Sequence, residues 1–464
     1  FSFMKKLQII LLFSIAILSS CSKDAVFIED PFVVAFQETS GKLLDINIQK
    51  DIKLIYSETA YEESIVKIGI TTENVLYGSD FITIPAAEGA ELSVPIKINE
   101  IENKFQIVEL NNSFTDEMKI TFSISSIEQD NANIQGNVSH ELSDSAYLGG
   151  VFYPTIGGPN EPNQVYVDLS SNKETVVRRD AWDLGFYGGE EFRVTINGSL
   201  YMAVSAVTNP DINSVNSLSV AALQPLVAVG TFDPENAAYI DSPNGNILET
   251  AISEISEDDF KNPVYLLNLG AEIGTAQPNT GSVAIAGESR GWKKIRILRD
   301  GNGYILQYAD LDATTYNEIS ISKDAAFNFT FFSFKTNKIV PVEPPKLQWD
   351  ISFTVFTNII ARAGSYGFSD FSLHNRKGGV TSYRLIDSTI SYENFTATNV
   401  NDTLFQESQI VIGSSWRNVF EGTANSNIYY VLKDANNNYF KIRFLDLTNE
   451  NGERGFPRFE YTLL

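Results

Sequence analysis

Apolar residues recur along this chain mostly at every second position, in short runs broken by Gly, Asn, Asp and Pro. In the N-terminal part the runs are VVAFQ at Val33, LLDINI at Leu43, IVKIGI at Ile65, LSVPIKI at Leu92 and MKITFSI at Met118. Alternation of this period between turn residues predicts antiparallel strands with one buried and one wet face. Several such strands in so short a span predict an immunoglobulin-like β-sandwich.

The pattern continues after an Asn-, Gly- and Pro-rich stretch containing QDNANIQGN and GGPNEP, which places a boundary near it. The segment WKKIRILRDGNGYILQYADL joins two apolar runs through Asp300-Gly301-Asn302-Gly303, residues that accept positive φ, and predicts a hairpin. YYVLKDANNNYFKIRFLDL repeats the device, with Phe440, Ile442 and Phe444 on one face and Tyr439, Lys441 and Arg443 on the other. A short helix is conceivable at SEISEDDFKN from Ser253, and no long amphipathic helix stands out. The expected architecture is all-β: a sandwich over 21–130, a linker over 131–144, and a larger antiparallel β domain over 145–464.

Composition agrees with that picture and narrows the partners. Of the 464 residues 43% are hydrophobic and 20% charged, enough for a core, and 31 Phe with 20 Tyr favour strands. A formal charge of −24 without a large Lys/Arg cluster repels phosphate backbones, so nucleic acid is not an expected partner. Enzyme chemistry finds little support: two distant His, one Cys, no HExxH and no Gly-rich phosphate loop. GSSWR at Gly413 lacks the closing Gly of a nucleophile elbow. The protein is expected to bind rather than to catalyse.

The N-terminus bears on location. Met4 to Ser20 reads MKKLQIILLFSIAILSS, a positive pair followed by a short apolar core, the pattern of a signal peptide over residues 1–20. It ends in Leu18-Ser-Ser-Cys21, which resembles the lipobox of bacterial lipoproteins and implies lipid on Cys21. Cys21 is the single cysteine, so no internal disulfide is available. The following SKDAVFIED resembles acidic tags that carry such lipoproteins to the cell surface. The expected site is the outer membrane of a Gram-negative bacterium, on its outer face.

Two stretches echo each other: DAWDLGF at Asp180 and LQWDISF at Leu347. Alternation puts Trp182, Leu184 and Phe186, and likewise Trp349, Ile351 and Phe353, on one strand face, which explains them by burial. Asp183 and Asp350 then point the other way, to bond a neighbouring turn or, less simply, to act as catalytic carboxylates. Upstream, YVDLSSNKETVV and FFSFKTNKIVPVEP both read strand, Asn-Lys turn, strand, so an internal duplication is expected.

These stretches, with YGFSDFSLHNRKGGV, SSWRNVF and ERGFPRFEY in order after them, resemble the HmuY family of haem-binding lipoproteins over about 145–464. The N-terminal part is similar to a Calx-β immunoglobulin-like module through Gly78-Ser79-Asp80-Phe81 and the late Asp116-Glu117. That second resemblance implies calcium only if Glu62, Glu63 and Asp80 converge; otherwise they are solvated loop charges. The first implies a β fold that grips haem, captures it for uptake and passes it to an outer-membrane receptor. Haem iron needs His, Met, Cys or Tyr donors, and members of the family use a His pair or a Met. Here the only His are His140 and His374, and the Met of the mature chain are Met118 and Met202. His140 is expected as a solvated linker residue and Met118 as sandwich core. His374 and Met202 follow the two Trp-Asp strands and are the expected ligands, with Tyr366 or Tyr201 next; their plain readings are a surface His and a core Met. The alternative function is a surface lipoprotein of the same fold for another small hydrophobic ligand or a partner protein.

Overall fold

The computed structural model describes residues 31–464 apart from 42, 44, 45, 47, 111–113, 116, 117, 144–147 and 210. The signal peptide, Cys21, the acidic tag, Asp116 and Glu117 lie outside the described residues.

Alternation builds the N-terminal sandwich. Strand Gln49–Tyr56 turns Ile52, Leu54 and Tyr56 inward, and Glu91–Ile96 turns Leu92, Val94 and Ile96 inward. Two five-stranded sheets result. One runs Phe81–Ile84, Glu102–Glu109, Gln49–Tyr56, Phe32–Phe36, Ala132–Ile134; the other Ser40–Gly41, Ser139–Ser143, Lys119–Ile127, Ser64–Glu73, Glu91–Ile96. Across the core Phe105 meets Phe122 edge-on at 4.9 Å. The expected linker over 131–144 therefore supplies a strand to each sheet, Ala132–Ile134 parallel to Phe32–Val34 and Ser139–Ser143 antiparallel to Lys119–Ser123. His140, expected in solvent, is 1% exposed, with Nδ1 2.8 Å from the Glu38 carbonyl. A short polar-looking run hides a strand when its inward positions are His and Leu142 rather than large apolar groups.

The sandwich also holds the rest of the chain directly. Thr39 donates its N–H to Gln348 Oε1 at 3.1 Å, and Lys173 faces Glu141 at 3.4 Å. Phe32–Leu464 forms one compact unit.

The remainder contains four larger sheets, two of them made by exchange. Strands Asn163–Asp168 and Lys173–Arg178 pair not with the Leu184–Tyr187 strand that follows them but with Ile351–Ile360 and Gly364–His374. Reciprocally, Leu184–Tyr187 and Val194–Ile196 pair with Phe329–Ser333 and Lys338–Val340. Each half then continues into an outer sheet. The first holds Ala203–Ala206, Val264–Asn268, Trp292–Asp300, Gly303–Asp310 and Asn317–Ile321; the second holds Thr381–Ile386, Ile428–Lys433, Tyr439–Thr448, Arg454–Leu463 and Gly149–Phe152. The hairpins expected at Asp300–Gly303 and before Tyr439 are present.

Packing makes two sandwiches side by side. Leu184, Phe186 and Phe332 join Tyr265, Ile295 and Leu306 in one core. Val167, Ile351 and Phe353 join Leu432, Phe440, Ile442 and Phe444 in the other. Between them runs a seam of Tyr166, Val177, Trp182, Phe331, Val342 and Trp349. Both Trp side chains thus leave the face of the residues that follow them, contrary to the alternation argument, because the strands begin only at Leu184 and Ile351. The segment at Ser253 holds a single turn of 3-10 helix, Asp259–Lys261, and no α-helix occurs among the described residues.

Candidate functional site

The echo of the two Trp-Asp motifs is exact in its bonding partners. Asp183 N–H donates to Phe332 O at 2.9 Å and Asp350 N–H to Val167 O at 2.8 Å. Their Oδ2 atoms accept from Phe334 N–H at 2.6 Å and Leu169 N–H at 2.9 Å, so both carboxyls do bond a turn. Trp182 meets Phe331 edge-on at 4.8 Å, and Trp349 meets Tyr166 at 4.9 Å. Asn197 and Asn375 close each unit, donating to the carbonyls of Arg179 and Trp182 in one and of Lys346 and Trp349 in the other. The duplication is therefore built into the fold, with Asp183 answering Asp350, Ile196 answering His374 and Tyr201 answering Gly379.

The two units differ in charge. Asp183 carries an ion pair, Arg290 Nη2 at 2.7 Å from Oδ1. Asp350 forms no ion pair among the described residues; burial holds its carboxyl well above the usual range, with Asp168 and Asp434 nearby adding to the effect. A carboxyl 5% exposed, spent on a turn N–H, reads as structural rather than catalytic.

His374 takes the place of a core residue. It is 1% exposed, Nδ1 lies 2.8 Å from Ser382 Oγ and Nε2 3.1 Å from Glu407 O, and burial lowers its pKa to about 4. Both ring nitrogens are engaged. It borders a cavity of about 140 Å³ that also touches Trp182, Trp349, Asn328, Ser352, Thr354 and Lys377. Met202, fully buried in the first core, borders an adjoining cavity of about 80 Å³. Each is well below the roughly 300–1,000 Å³ of sites for cofactor-sized ligands. The two expected donors border adjoining cavities, but neither space fits haem.

A larger opening lies further along the Gly364–His374 strand, a cleft of about 510 Å³ walled by Tyr201, Tyr366, Phe368, Val419, Arg417 and Arg454 among others. Tyr201 sits in the left-handed region at φ 63°, and its ring lies against Gly367, where a Cβ would collide with it. Burial pushes the Tyr201 hydroxyl up to about 12. Tyr366 is 40% exposed and stands edge-on to Phe368 at 5.6 Å, with the exposed Phe232 ring 5.9 Å beyond it.

The floor of the cleft is cationic. Arg454 donates to Asp370 and, at 2.6 Å, to Ser369 Oγ; Arg417 Nη2 donates to Ser369 O at 2.7 Å. Behind them Asp370 N–H donates to both oxygens of Glu161, and Arg179 donates to Glu161 O at 2.7 Å. Glu161 is raised well above its usual range, first by burial and then by the Asp370 charge. Two guanidiniums, those of Arg417 and Arg454, face the carboxyl of Asp370 and line the cleft, in a chain of formal charge −24. Sequence reasoning missed these arginines. They come from distant segments, and only their meeting in space gives them meaning.

The other candidates sit elsewhere. Met118 packs part-buried against the sandwich core. Asp80 accepts the Leu76 N–H at 2.8 Å within its own turn. Among the described residues no group of three or more His, Cys, Asp or Glu is placed to hold a metal ion, and no helix is long and apolar enough to cross a membrane.

A family model described as HmuY protein matches residues 160–320 and 325–461, the two halves that exchange strands. Among solved structures the apo form of the Calx CBD1 domain is similar at 9% identity over 25% of this chain and 98% of its own, with a TM-score of 0.20. The Calx CBD2 domain is similar at 16% identity over 22% of this chain and 60% of its own, with a TM-score of 0.18. A DUF4784 family protein from Bacteroides caccae covers 73% of this chain and 95% of its own at 6% identity and a TM-score of 0.11. Likenesses this slight fix neither fold nor ligand. No curated protein matches the chain.

Proposed function

The chain belongs to the HmuY family, and from that membership we propose that it is a surface lipoprotein, anchored through Cys21 in the outer membrane, that captures haem and yields it to an outer-membrane receptor. The observation that carries this reading to a place is the cleft over Arg417 and Arg454. Haem is a flat apolar ring with two carboxylates. Aromatic walls suit the ring, and a floor with two guanidiniums suits the carboxylates. When bound, haem supplies an iron that takes an axial donor, and Tyr is one of the side chains that serve. Tyr366 is exposed at the mouth and supplies such a hydroxyl, whereas His374 and Met202 are committed to packing and hydrogen bonds.

Titration of the mature protein with haemin tests the reading. A stoichiometric, sharpened Soret band is expected, lost or shifted in Tyr366→Phe and weakened in Arg417→Ala. A free-haemin spectrum at stoichiometric protein removes haem from the proposal. The same cleft then serves an iron-free amphiphilic carboxylate, a second reading favoured by the burial of both histidines.

A further inference from the structure

The seam between the two sandwiches contains polar groups that the fold does not use. Trp349 Nε1, Ser352 Oγ, Thr354 Oγ1 and Asn328 Oδ1 have no hydrogen-bond partner, and all four residues border the 140 Å³ cavity. Their exposures are 8%, 1%, 3% and 2%. Buried polar groups are almost always partnered, so four orphans around one void point to something that fills it.

The internal duplication shows that the fold itself does not demand them. Ser352 and Thr354 answer Gly185 and Tyr187 in the other unit. There the space is closed: a Cβ on Gly185 would press on Thr195 and on the Phe329 and Phe331 rings. The Trp182 indole, the counterpart of Trp349, donates to Gln164 Oε1 at 3.3 Å. Both units border the cavity, but the indole of the first is satisfied while the indole and hydroxyls of the second are not.

The lining specifies the occupant. Three of the four orphans can donate, from an indole N–H and two hydroxyls, and only Asn328 Oδ1 must accept. Lys377, which donates to Gly245 O at 3.1 Å, and Arg376 and Gln409 border the same cavity while remaining partly exposed, so the approach is cationic. Glu343 also borders the cavity, with Lys377 near it, and burial raises it to about 7. A cavity of about 150 Å³ accommodates a molecule of roughly six non-hydrogen atoms.

We infer that this seam is a second ligand site, for a small carboxylate whose oxygens accept from Trp349, Ser352 and Thr354. The inference is independent of the haem reading, which concerns a cleft with none of these lining residues.

Pyruvate is a suitable probe. The mature protein labelled with 15N-tryptophan gives one indole signal for each of its four Trp, and Trp349→Phe identifies the relevant one. Titration should move the Trp349 signal saturably, with an affinity in the millimolar range, while Trp292 and Trp416 stay fixed. Thr354→Val should weaken binding about tenfold or more, and Thr354→Ser should restore it. A Trp349 signal indifferent to pyruvate, lactate and acetate means that the void holds water only, and the inference fails. It fails equally if all four signals drift together, or if Thr354→Val and Thr354→Ser bind alike.

Discussion

Asp183 and Arg290 form an ion pair of 2.7 Å in which the carboxylate side chain is 0% and the guanidinium side chain 8% exposed. Its counterpart in the second unit, Asp350, accepts the same turn N–H without a guanidinium. The two aspartates should therefore respond differently to the same change. Asp183→Asn strands a buried cation and should cost about 3–5 kcal/mol. Asp350→Asn keeps a side-chain oxygen for the Leu169 N–H and strands no cation, so it should cost under about 1 kcal/mol. Urea unfolding of the two variants checks this, and equal losses would show that Arg290 does not distinguish the units.

Removing either seam ring should be severe. Trp349→Ala and Trp182→Ala each delete a buried indole and an edge-on aromatic contact, at a cost of about 3–5 kcal/mol. A near-wild-type melting temperature in either variant would mean that the seam is solvated.

Those two tryptophans also show how far the sequence could be read. Turn chemistry at Asp300–Gly303 and strict alternation at Phe440, Ile442 and Phe444 led directly to the observed hairpins and core. Burial of the tryptophans was legible; their direction was not, because alternation holds only inside a strand and both lie just before one begins. The likeness of the Trp-Asp stretches revealed a duplication. It could not reveal that the halves trade strands, since strand exchange leaves the local pattern unchanged. His140 and His374 were misplaced toward the surface for a related reason: a His filling a core position looks in sequence like any polar residue. The arginine floor of the cleft depends on contacts between residues far apart in the chain, which no local pattern encodes.

Burial of the two histidines should appear in the pH dependence. Burial depresses both to about 4, against about 6.5 in the unfolded chain. Between those values the unfolded chain binds more protons, so their contribution to stability is lost as pH falls from about 6.5 toward 4. Glu343, raised to about 7, acts in the opposite sense and favours the folded state as pH falls below that value. A comparison isolates the histidine: the destabilisation produced by His140→Leu at pH 7 should shrink by up to about 3 kcal/mol on approaching pH 4. A penalty constant across the range would show that His140 is already hydrated in the folded protein.

Anchoring should depend on one atom. If Cys21 carries lipid, Cys21→Ser leaves the mature domain without its acyl chains, and the protein should move from the membrane fraction to the soluble or unprocessed one. Complete retention of Cys21→Ser in outer membranes would overturn the lipoprotein reading.

Haem variants separate the cleft from the seam. Tyr366→Phe should alter the Soret band and His374→Ala should leave it in place, although His374→Ala should lower stability through its lost bonds to Ser382 and Glu407. A spectrum sensitive to His374 and Met202 but not to Tyr366 would return the iron to the interior.

The traded strands have a consequence for autonomy. In each exchanged sheet one half supplies an edge that only the other half can cover. A single half, expressed alone, would present two raw sheet edges to solvent and could cover them only by embracing a second copy of itself around a two-fold axis. The present chain is that embrace written in one polypeptide, and cutting it between residues 321 and 329 should give fragments that are adhesive apart and complementary together.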